Sequence, residues 1–415
     1  MMTAYRLLTY LFYALVYPVG RLKAGRSNTQ WRGRMGFIGS VGPKDVWMHA
    51  ASVGEVKILG YLLQYLRSRR PALDLHVSVM TRAGYATACN LAGRHGPGLT
   101  VSCFPFDSPP TMSRTFDAVA PKILLVAETE IWPNLIREAS RRHIPIILVN
   151  GRMSERAFRA YRFVRPSLSG ILARYERFCV KTAADADRYR YFGVPEDKVV
   201  VTGDMKFDAP LVPRSNNIRR RIRASAGVTD EQFLFVAGST RPGEEALLAR
   251  VFREMSKDHV RLRMIVAPRH VERVSEIMQA LRQHGLPCAA YGGSTADARV
   301  TIVDRMGLLN DLYLAADLAF VGGTLADFGG HNLLEPVWAG TPVIFGPSVS
   351  NVAEAANYIL AHNYGRQVQT ADELAELLQR ALNGKLSVSV KTEHDLRHSA
   401  TAAVGDYVME RLTRA

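Results

Sequence analysis

The chain is poor in cysteine and lacks cysteine motifs. Cys89, Cys103, Cys179 and Cys288 are the only four in 415 residues, and no CxxC pair occurs. That spacing excludes a disulfide framework and a cysteine zinc site, and it predicts reduced, mostly buried thiols. A metal centre is not expected. No GxxxxGK[ST] stretch is present, which argues against a P-loop NTPase. Low-complexity segments and short repeats are missing as well. No apolar run reaches the ~20 residues that cross a bilayer as a helix. Acidic residues are comparatively few: 38 Asp and Glu stand against 53 Lys and Arg, a formal charge of +15. Such a balance suits an anionic partner: nucleic acid, membrane surface or phosphorylated substrate. Nucleic acid is not expected, because neither a recognition-helix motif nor interleaved aromatic and basic residues occur.

The N-terminus is unusual for what it does contain. Residues 7–20, LLTYLFYALVYPVG, are apolar and rich in tyrosine. Arg6 precedes them, and Arg21, Lys23, Arg26, Arg32 and Arg34 follow. Three readings stand: a cleavable signal peptide, a helix docked within the fold, or an interfacial helix on an anionic leaflet. No A-x-A site follows, and the trailing basic residues oppose export. Tyr5, Tyr10, Tyr13 and Tyr17 suit an interface belt.

Beyond this segment, short apolar runs alternate with helical periodicity. VWMH (46–49), LDLHVSVMT (73–81), LTVSCFPF (99–106), KILLVAE (122–128), IPIILVNG (144–151) and KVVVTG (198–203) read as strands. A further strand closes the stretch that ends in CVKT. DAPLVPRSNN (208–217) reads as a linker. The alternation then restarts with FLFVAGST (233–240), RMIVAP (263–268), VTIVD (300–304), LAFVGG (318–323) and TPVIFG (341–346). This pattern predicts an α/β chain with two domains, each a parallel sheet covered by helices. Ligands in such sheets bind at the carboxyl ends of strands, and a cleft between the domains is the expected site.

Polar groups gather at those ends. The first strand runs into Ser52, Gly54 and Glu55. Nucleotide-binding folds usually hold a phosphate at this turn, but here a carboxylate takes the place. The helix dipole is expected to keep it ionised, which suits a general base acting on a hydroxyl. Glu128 and Glu130, then Asn150, Gly151 and Arg152, then Gly203, Asp204 and Lys206 follow later strands. In the second half, VAGSTRPGEE (236–245) offers Gly238, Ser239, Thr240 and Gly243 as an anion-binding turn, and Arg269 follows a strand. In 320–346, FVGGTLADFGGHNLLEPVWAGTPVIFG, a strand ends at Gly322–Gly323 and a helix is predicted from near Asn332, with Glu335 in its first turn. Glu335 would meet ribose hydroxyls while helix N–H groups face a phosphate. Asp185-x-Asp187 has the spacing of a metal-binding pair but lies in a helical pattern, so a solvated face is expected.

HAASVGE, ETEIWPN, NGRMSER, TGDMKFD, GSTRPGEE, APRH and GGHNLLEP, taken together, resemble the 3-deoxy-D-manno-octulosonate (Kdo) transferases of lipopolysaccharide inner-core synthesis. The resemblance runs along nearly the whole chain. It implies a GT-B type fold, with two Rossmann-like domains whose parallel sheets face across a cleft, plus the apolar N-terminal helix. The implied parts are a membrane-associated helix (1–22), an acceptor-side domain (23–208), a donor domain (209–385) and a C-terminal helix packing back towards the first domain (386–415). The implied reaction is inverting transfer of Kdo from CMP-Kdo to the tetra-acylated, phosphorylated lipid A precursor, lipid IVA. It would run without metal or cofactor at the cytoplasmic face of the bacterial inner membrane. Glu55 matches the proton acceptor, and Glu128 and Lys206 match residues that support the transition state. Pro268, Arg269, Met306, Gly307, Leu308, Asn332, Leu333, Leu334 and Glu335 match the CMP contacts. The chain departs from the family at Asp204, often Asn, and at Leu308, usually Glu; at 308 only a backbone contact would survive. A nucleotide-sugar epimerase on the same fold would explain the donor site but not the apolar, basic N-terminus.

Overall fold

The computed structural model describes residues 2–24, 29–39, 41–96, 98–209, 211, 215–293, 298–392, 395 and 399–414. The chain divides into two units: residues 1–209 with 396–415, and residues 210–395.

The first unit is built on a seven-stranded sheet. Its strands are β1 (Lys44–Ala50), β2 (Leu75–Val79), β3 (Leu99–Cys103), β4 (Pro121–Ala127), β5 (Ile146–Gly151), β6 (Arg177–Val180) and β7 (Val199–Val201). All pair in parallel, in the order β3-β2-β1-β4-β5-β6-β7. β2 and β5 are buried at every position, as in a sheet covered on both faces; β5 opens with the apolar run IILV, whereas β2 (LHVSV) buries His76 and Ser78 between its apolar residues. Strand order reverses between β1 and β4. The crevice beyond the carboxyl ends of that pair is the switch point at which such sheets bind ligands. Glu55 lies beyond β1, and Glu128 and Glu130 lie beyond β4.

Two apolar clusters flank this sheet. One joins Leu59, Leu62, Leu63 and Leu66 of the helix Val53–Arg69 to Val404 and Val408 of the C-terminal helix Ala400–Arg414. Each buried leucine contributes about 1.5–3 kcal/mol. Gly405 permits this close packing, because a Cβ there would strike the Tyr65 ring. Polar ties hold the same helix: Thr401 N–H donates to Asp208 Oδ2 at 2.7 Å, and Arg411 Nε donates to Glu176 Oε1 at 2.8 Å. The other cluster contains fully buried Trp47, whose Nε1–H donates to Ser78 Oγ at 2.8 Å.

The N-terminal helix Met2–Lys23 carries two faces. Tyr5, Thr9 and Tyr13, spaced four apart, dock on the unit. Tyr5 donates to Asp107 Oδ2 (2.9 Å), Asn134 Nδ2 donates to Thr9 Oγ1 (3.0 Å), and Arg114 donates to Tyr13 Oη (2.7 Å). Leu8, Leu11, Leu15 and Leu22 point away and are exposed, Leu15 at 79% and Leu22 at 83%. Among the described residues, no helix is long and apolar enough to cross a membrane.

The second unit repeats the plan. Its strands are β8 (Phe233–Thr240), β9 (Leu262–Pro268), β10 (Cys288–Ala290), β11 (Val300–Ile302), β12 (Leu318–Val321), β13 (Val343–Phe345) and β14 (Gly365–Gln367). Their order is β10-β11-β9-β8-β12-β13-β14, all parallel, with the reversal between β8 and β12. The three-residue strands β10 and β14 were not legible in the sequence. Residues 210 and 212–214 of the linker reading, and 393, 394, 396–398 and 415 of the C-terminal helix reading, lie outside the described residues; the helix expected over 386–415 is corrected to Ala400–Arg414, since 386–392 are not helical. The cysteine expectation holds in part: Cys103 and Cys179 are buried, Cys288 is intermediate and Cys89 is exposed; all four are free.

Candidate active site

Glu55 sits in the first turn of the helix Val53–Arg69, which Ser52 caps. The carboxylate folds back on that cap. Ala51 N–H donates to Oε2 at 2.8 Å, Ser52 Oγ–H donates to Oε1 at 2.9 Å, and Glu55 N–H donates to Ser52 Oγ at 3.3 Å. This is a variant of the capping box, so the side chain also starts the helix. A carboxylate has about four lone-pair positions, so two remain for another donor. The sequence predicts that the helix dipole keeps Glu55 ionised, but burial works against that. Burial to 8% exposure raises its pKa, the bonds from Ala51 and Ser52 only partly oppose this, and Glu130 and Glu128 add to the rise. A raised pKa makes Glu55 a stronger proton acceptor than an ordinary glutamate.

Glu128 has φ +49° and Asn150 φ +54°, at the ends of adjacent strands β4 and β5. A register shift between β5 and β6 accompanies the turn at Asn150. Left-handed backbone at non-glycine residues concentrates where side chains must be aimed. Lys181 Nζ lies 3.0 Å from Glu128 Oε1 and 3.3 Å from Asp204 Oδ2. Asp204 Oδ1 accepts from Lys206 N–H at 3.0 Å, and Lys206 Nζ stands 3.6 Å from Asp204 Oδ2. Asn150 Oδ1 accepts from Met205 N–H at 2.8 Å, holding this segment against β5. Glu128, Lys181, Asp204 and Lys206 thus form a chain of alternating charge.

Two further residues of the site escaped the sequence reading. Lys181, first after β6, joins Glu128 to Asp204. His49, inside β1, is fully buried and stacks on Phe104 with centroids 3.9 Å apart. Its Nδ1 contacts Ser78 Oγ at 3.1 Å, and its Nε2 faces Glu130 Oε2 at 3.6 Å, an ion-pair distance. Trp132 Nε1–H donates to the same Glu130 oxygen at 2.8 Å. Burial pushes Glu130 up, but His49 and Trp132 outweigh it and leave its carboxyl below the ordinary range. The only sequence signal for Lys181 is a cation at a strand end; His49 looked like part of an apolar run.

In the second unit, a cavity of about 250 Å³ is lined by Pro268, Arg269, Met306, Gly307 and Glu335 of the expected set, together with Ser239. Gly307 has φ +92°, a conformation that favours glycine, and closes the turn over this space. Leu308 precedes the helix Leu309–Ala315. Leu333 and Leu334 are buried in the core, and Asn332 Nδ2 donates to Glu335 Oε1 at 3.0 Å. Burial raises the Glu335 pKa, against the bond from Asn332 and the attraction of Arg269.

The helix expected near Asn332 is a single short one, Leu334–Trp338, with Asn332 Oδ1 accepting from Leu334 N–H at 3.2 Å. The glycine loop before it already has its anion. Fully buried Glu244 accepts from the N–H groups of Arg241 (2.9 Å), Gly323 (2.7 Å), Thr324 (3.0 Å), Leu325 (2.9 Å) and Ala326 (3.2 Å). Those loop amides face a carboxylate of the chain itself.

Asp185 is buried rather than solvated. It accepts from Thr182 Oγ1 at 2.6 Å and from Met153 N–H at 2.9 Å, and so fixes the loop after β5. The sequence carries one i, i+4 histidine pair, His394 and His398, and both lie outside the described residues. Among the described residues, no group of three or more His, Cys, Asp or Glu side chains is arranged to hold a metal ion.

Comparison with known proteins agrees with this layout. Residues 29–209 match the profile of the 3-deoxy-D-manno-octulosonic-acid transferase (kdotransferase) family. The 3-deoxy-D-manno-octulosonic acid transferase of Chlamydophila psittaci is 31% identical over 339 residues, 80% of this chain and 77% of that one. A bifunctional glycosyltransferase/methyltransferase of Fusobacterium nucleatum is 34% identical over 349 residues, 82% of this chain, which spans only 53% of that protein. The UDP-GlcNAc 2-epimerase structure from Neisseria meningitidis shares 11% identity with a TM-score of 0.55, covering 89% of this chain and 100% of that one. At that identity the likeness concerns the fold alone, which is of GT-B type. The chain belongs to the family of 3-deoxy-D-manno-octulosonic acid transferases, which are glycosyltransferases.

Proposed function

We propose that this chain moves Kdo from CMP-Kdo to a hydroxyl of lipid IVA, the tetra-acylated, phosphorylated lipid A precursor, with inversion at the anomeric carbon. The observation that carries this reading is Glu55: a buried carboxylate with a raised pKa at the β1–β4 switch point, close enough to Glu130 and Glu128 to feel their charge. The acceptor oxygen attacks the anomeric carbon while Glu55 takes its proton. The bond from that carbon to the CMP oxygen breaks, and CMP leaves with the electron pair. Positive charge develops on the sugar and negative charge on the phosphate. Glu128 and Lys206 support the first stage, and Lys181 holds Glu128 in place. Arg269 supplies positive charge to the leaving phosphate, with Glu335 at the ribose end of the same cavity.

The acceptor is a membrane lipid, and the proposed setting is the anionic cytoplasmic face of the inner membrane. The exposed leucines of Met2–Lys23 support it, with Arg6, Arg21 and Lys23 on the same helix. So does a second corner of the first unit, where Phe163 is 89% exposed between Arg162 and Arg165.

The testing experiment compares wild type with Glu55→Gln. The variant is expected to bind CMP as wild type does and to lose transfer by about two to four orders of magnitude, the usual worth of a general base. Near-normal turnover removes Glu55 as the base.

A further inference from the structure

We propose that Arg241, with His270 and His331 around it, forms a second anion subsite that takes the carboxylate of the acidic sugar donor, beside the phosphate position at Arg269. The inference rests on the donor proposed above.

Position comes first. Arg241 directly follows β8, and His331 lies in the loop after β12; these strands meet at the switch point of the second sheet. Thr240 is in register with Pro268, and Arg269 N–H donates to Thr240 O at 3.1 Å. Arg241 and Arg269 therefore leave neighbouring strands side by side. Ser239, two residues before Arg241 in β8, has φ +57° and sits at a register shift, which turns the Arg241 segment out of the ladder.

Charge comes second. The Arg241 guanidinium lies over the Phe328 ring, 4.2 Å from its centroid, and its Nη1 is 2.6 Å from His270 Nε2. Its Nε is shielded from solvent and has no partner. Among the described residues, neither Arg241 nor Arg269 forms an ion pair with a carboxylate. The nearest acid in sequence, Glu244, is already committed to five backbone N–H groups. His331 packs against Gly323, where φ is +73° and a side chain would be crowded by the ring, and His331 Nε2 is likewise buried without a partner. Burial first, then Arg269, Arg241 and His270, holds the His331 pKa below the ordinary range. Its ring adds a hydrogen-bonding edge without adding charge. Shielded donors without an acceptor are costly, and an anion arriving there removes the cost.

Chemistry supplies the occupant. An octulosonic acid joined to CMP carries two anions, the phosphodiester and a carboxylate on the carbon being transferred. Two arginines on adjacent strands, Arg241 and an Arg269 that also attracts Glu335 across the shared cavity, match two anions, and the planar guanidinium fork fits a carboxylate. A carboxylate held there would also fix the face of the anomeric carbon presented for attack.

The test uses the full chain and two readouts: KM for CMP-Kdo, and Ki for CMP as product inhibitor. Arg241→Gln is expected to raise the donor KM about tenfold or more while the CMP Ki stays within about twofold. Arg241→Lys should recover only part of the loss. His270→Gln, at an exposed position, should raise the donor KM in the same direction by a smaller factor, and it carries the test if Arg241→Gln fails to fold. Parallel rises in KM and Ki would make the cluster a phosphate site and overturn the proposal. An unchanged KM in both variants would overturn it as well. Failure of wild type to consume CMP-Kdo would remove the donor reading, and the subsite with it.

Discussion

Lys181 Nζ lies 3.0 Å from Glu128 Oε1, and this contact joins the ends of β6 and β4 across the intervening β5. The same ammonium reaches Asp204 Oδ2 at 3.3 Å, so one cation holds two carboxylates in a half-buried setting. Lys181→Met leaves Glu128 without its cation and Asp204 with Lys206 alone. Breaking such a pair costs about 3–5 kcal/mol when fully buried, and less here because Glu128 keeps some exposure. Expected is a lowered melting temperature together with a loss of kcat larger than any change in donor KM. An active, fully stable Lys181→Met would remove this role.

Glu244 offers a stability prediction in the second unit. Glu244→Gln keeps one acceptor oxygen and replaces the other with a donor aimed at backbone N–H groups. Each N–H left unsatisfied costs about 1–3 kcal/mol. Denaturant unfolding should show the transition of the second unit moving to lower denaturant while the first stays in place. Since a chain of two units need not unfold in one step, separate fluorescence and helix signals are required. A wild-type profile would contradict the loop-anchoring role.

The Glu55 pKa is raised in the fold, and its sign has two consequences. The folded state holds that proton more tightly than the unfolded chain, so ionisation of Glu55 opposes folding once pH passes the ordinary glutamate range. Glu55→Gln should therefore retain or gain stability at neutral pH while losing transfer. A thermal melt above the acid range decides this, and a large drop in melting temperature would show that capping outweighs burial.

Glu130 is the second lever on the same proton. Its negative charge helps raise the Glu55 pKa. Glu130→Gln removes that charge, so the acidic limb of kcat/KM should move to lower pH. A limb that stays in place, with activity retained, would show that another group controls it.

The N-terminal helix separates docking from lipid contact. Leu8→Ser, Leu11→Ser and Leu15→Ser together should weaken binding to phosphatidylethanolamine–phosphatidylglycerol vesicles with little change in melting temperature, because these side chains are exposed. Deleting residues 1–20 would be a poorer test. It would also strip partners from Asp107, Asn134 and Arg114. Unchanged vesicle binding by the triple variant would assign the helix to the fold alone.

Much of the site was legible because strand ends announce themselves. Ser52-x-x-Glu55 follows an apolar run, and Glu128 precedes a proline helix start, so both stand out from the sequence. His49 and Lys181 did not, because their meaning comes from other strands: Phe104 beyond β3 and Glu130 beyond β4 for one, Asp204 beyond β7 for the other. Glu244 looked like a routine acid in a helix's first turn. Apart from Arg241, its partners lie about eighty residues later, from Gly323 to Ala326. The strands β10 and β14 escaped notice because three residues carry no period, and CAA and GRQ are weakly apolar. The faces of the N-terminal helix needed the structure too, since tyrosines suited to a bilayer interface turned out to include the docking face.

The most direct measurement is a product assay. CMP-Kdo and lipid IVA are supplied with EDTA, and the lipid is weighed by mass spectrometry for wild type and Glu55→Gln. Expected is a gain of one or more Kdo units with wild type and almost none with the variant. No gain with folded wild-type protein and intact CMP-Kdo, or equal gain with both proteins, would contradict the proposed reaction or its base.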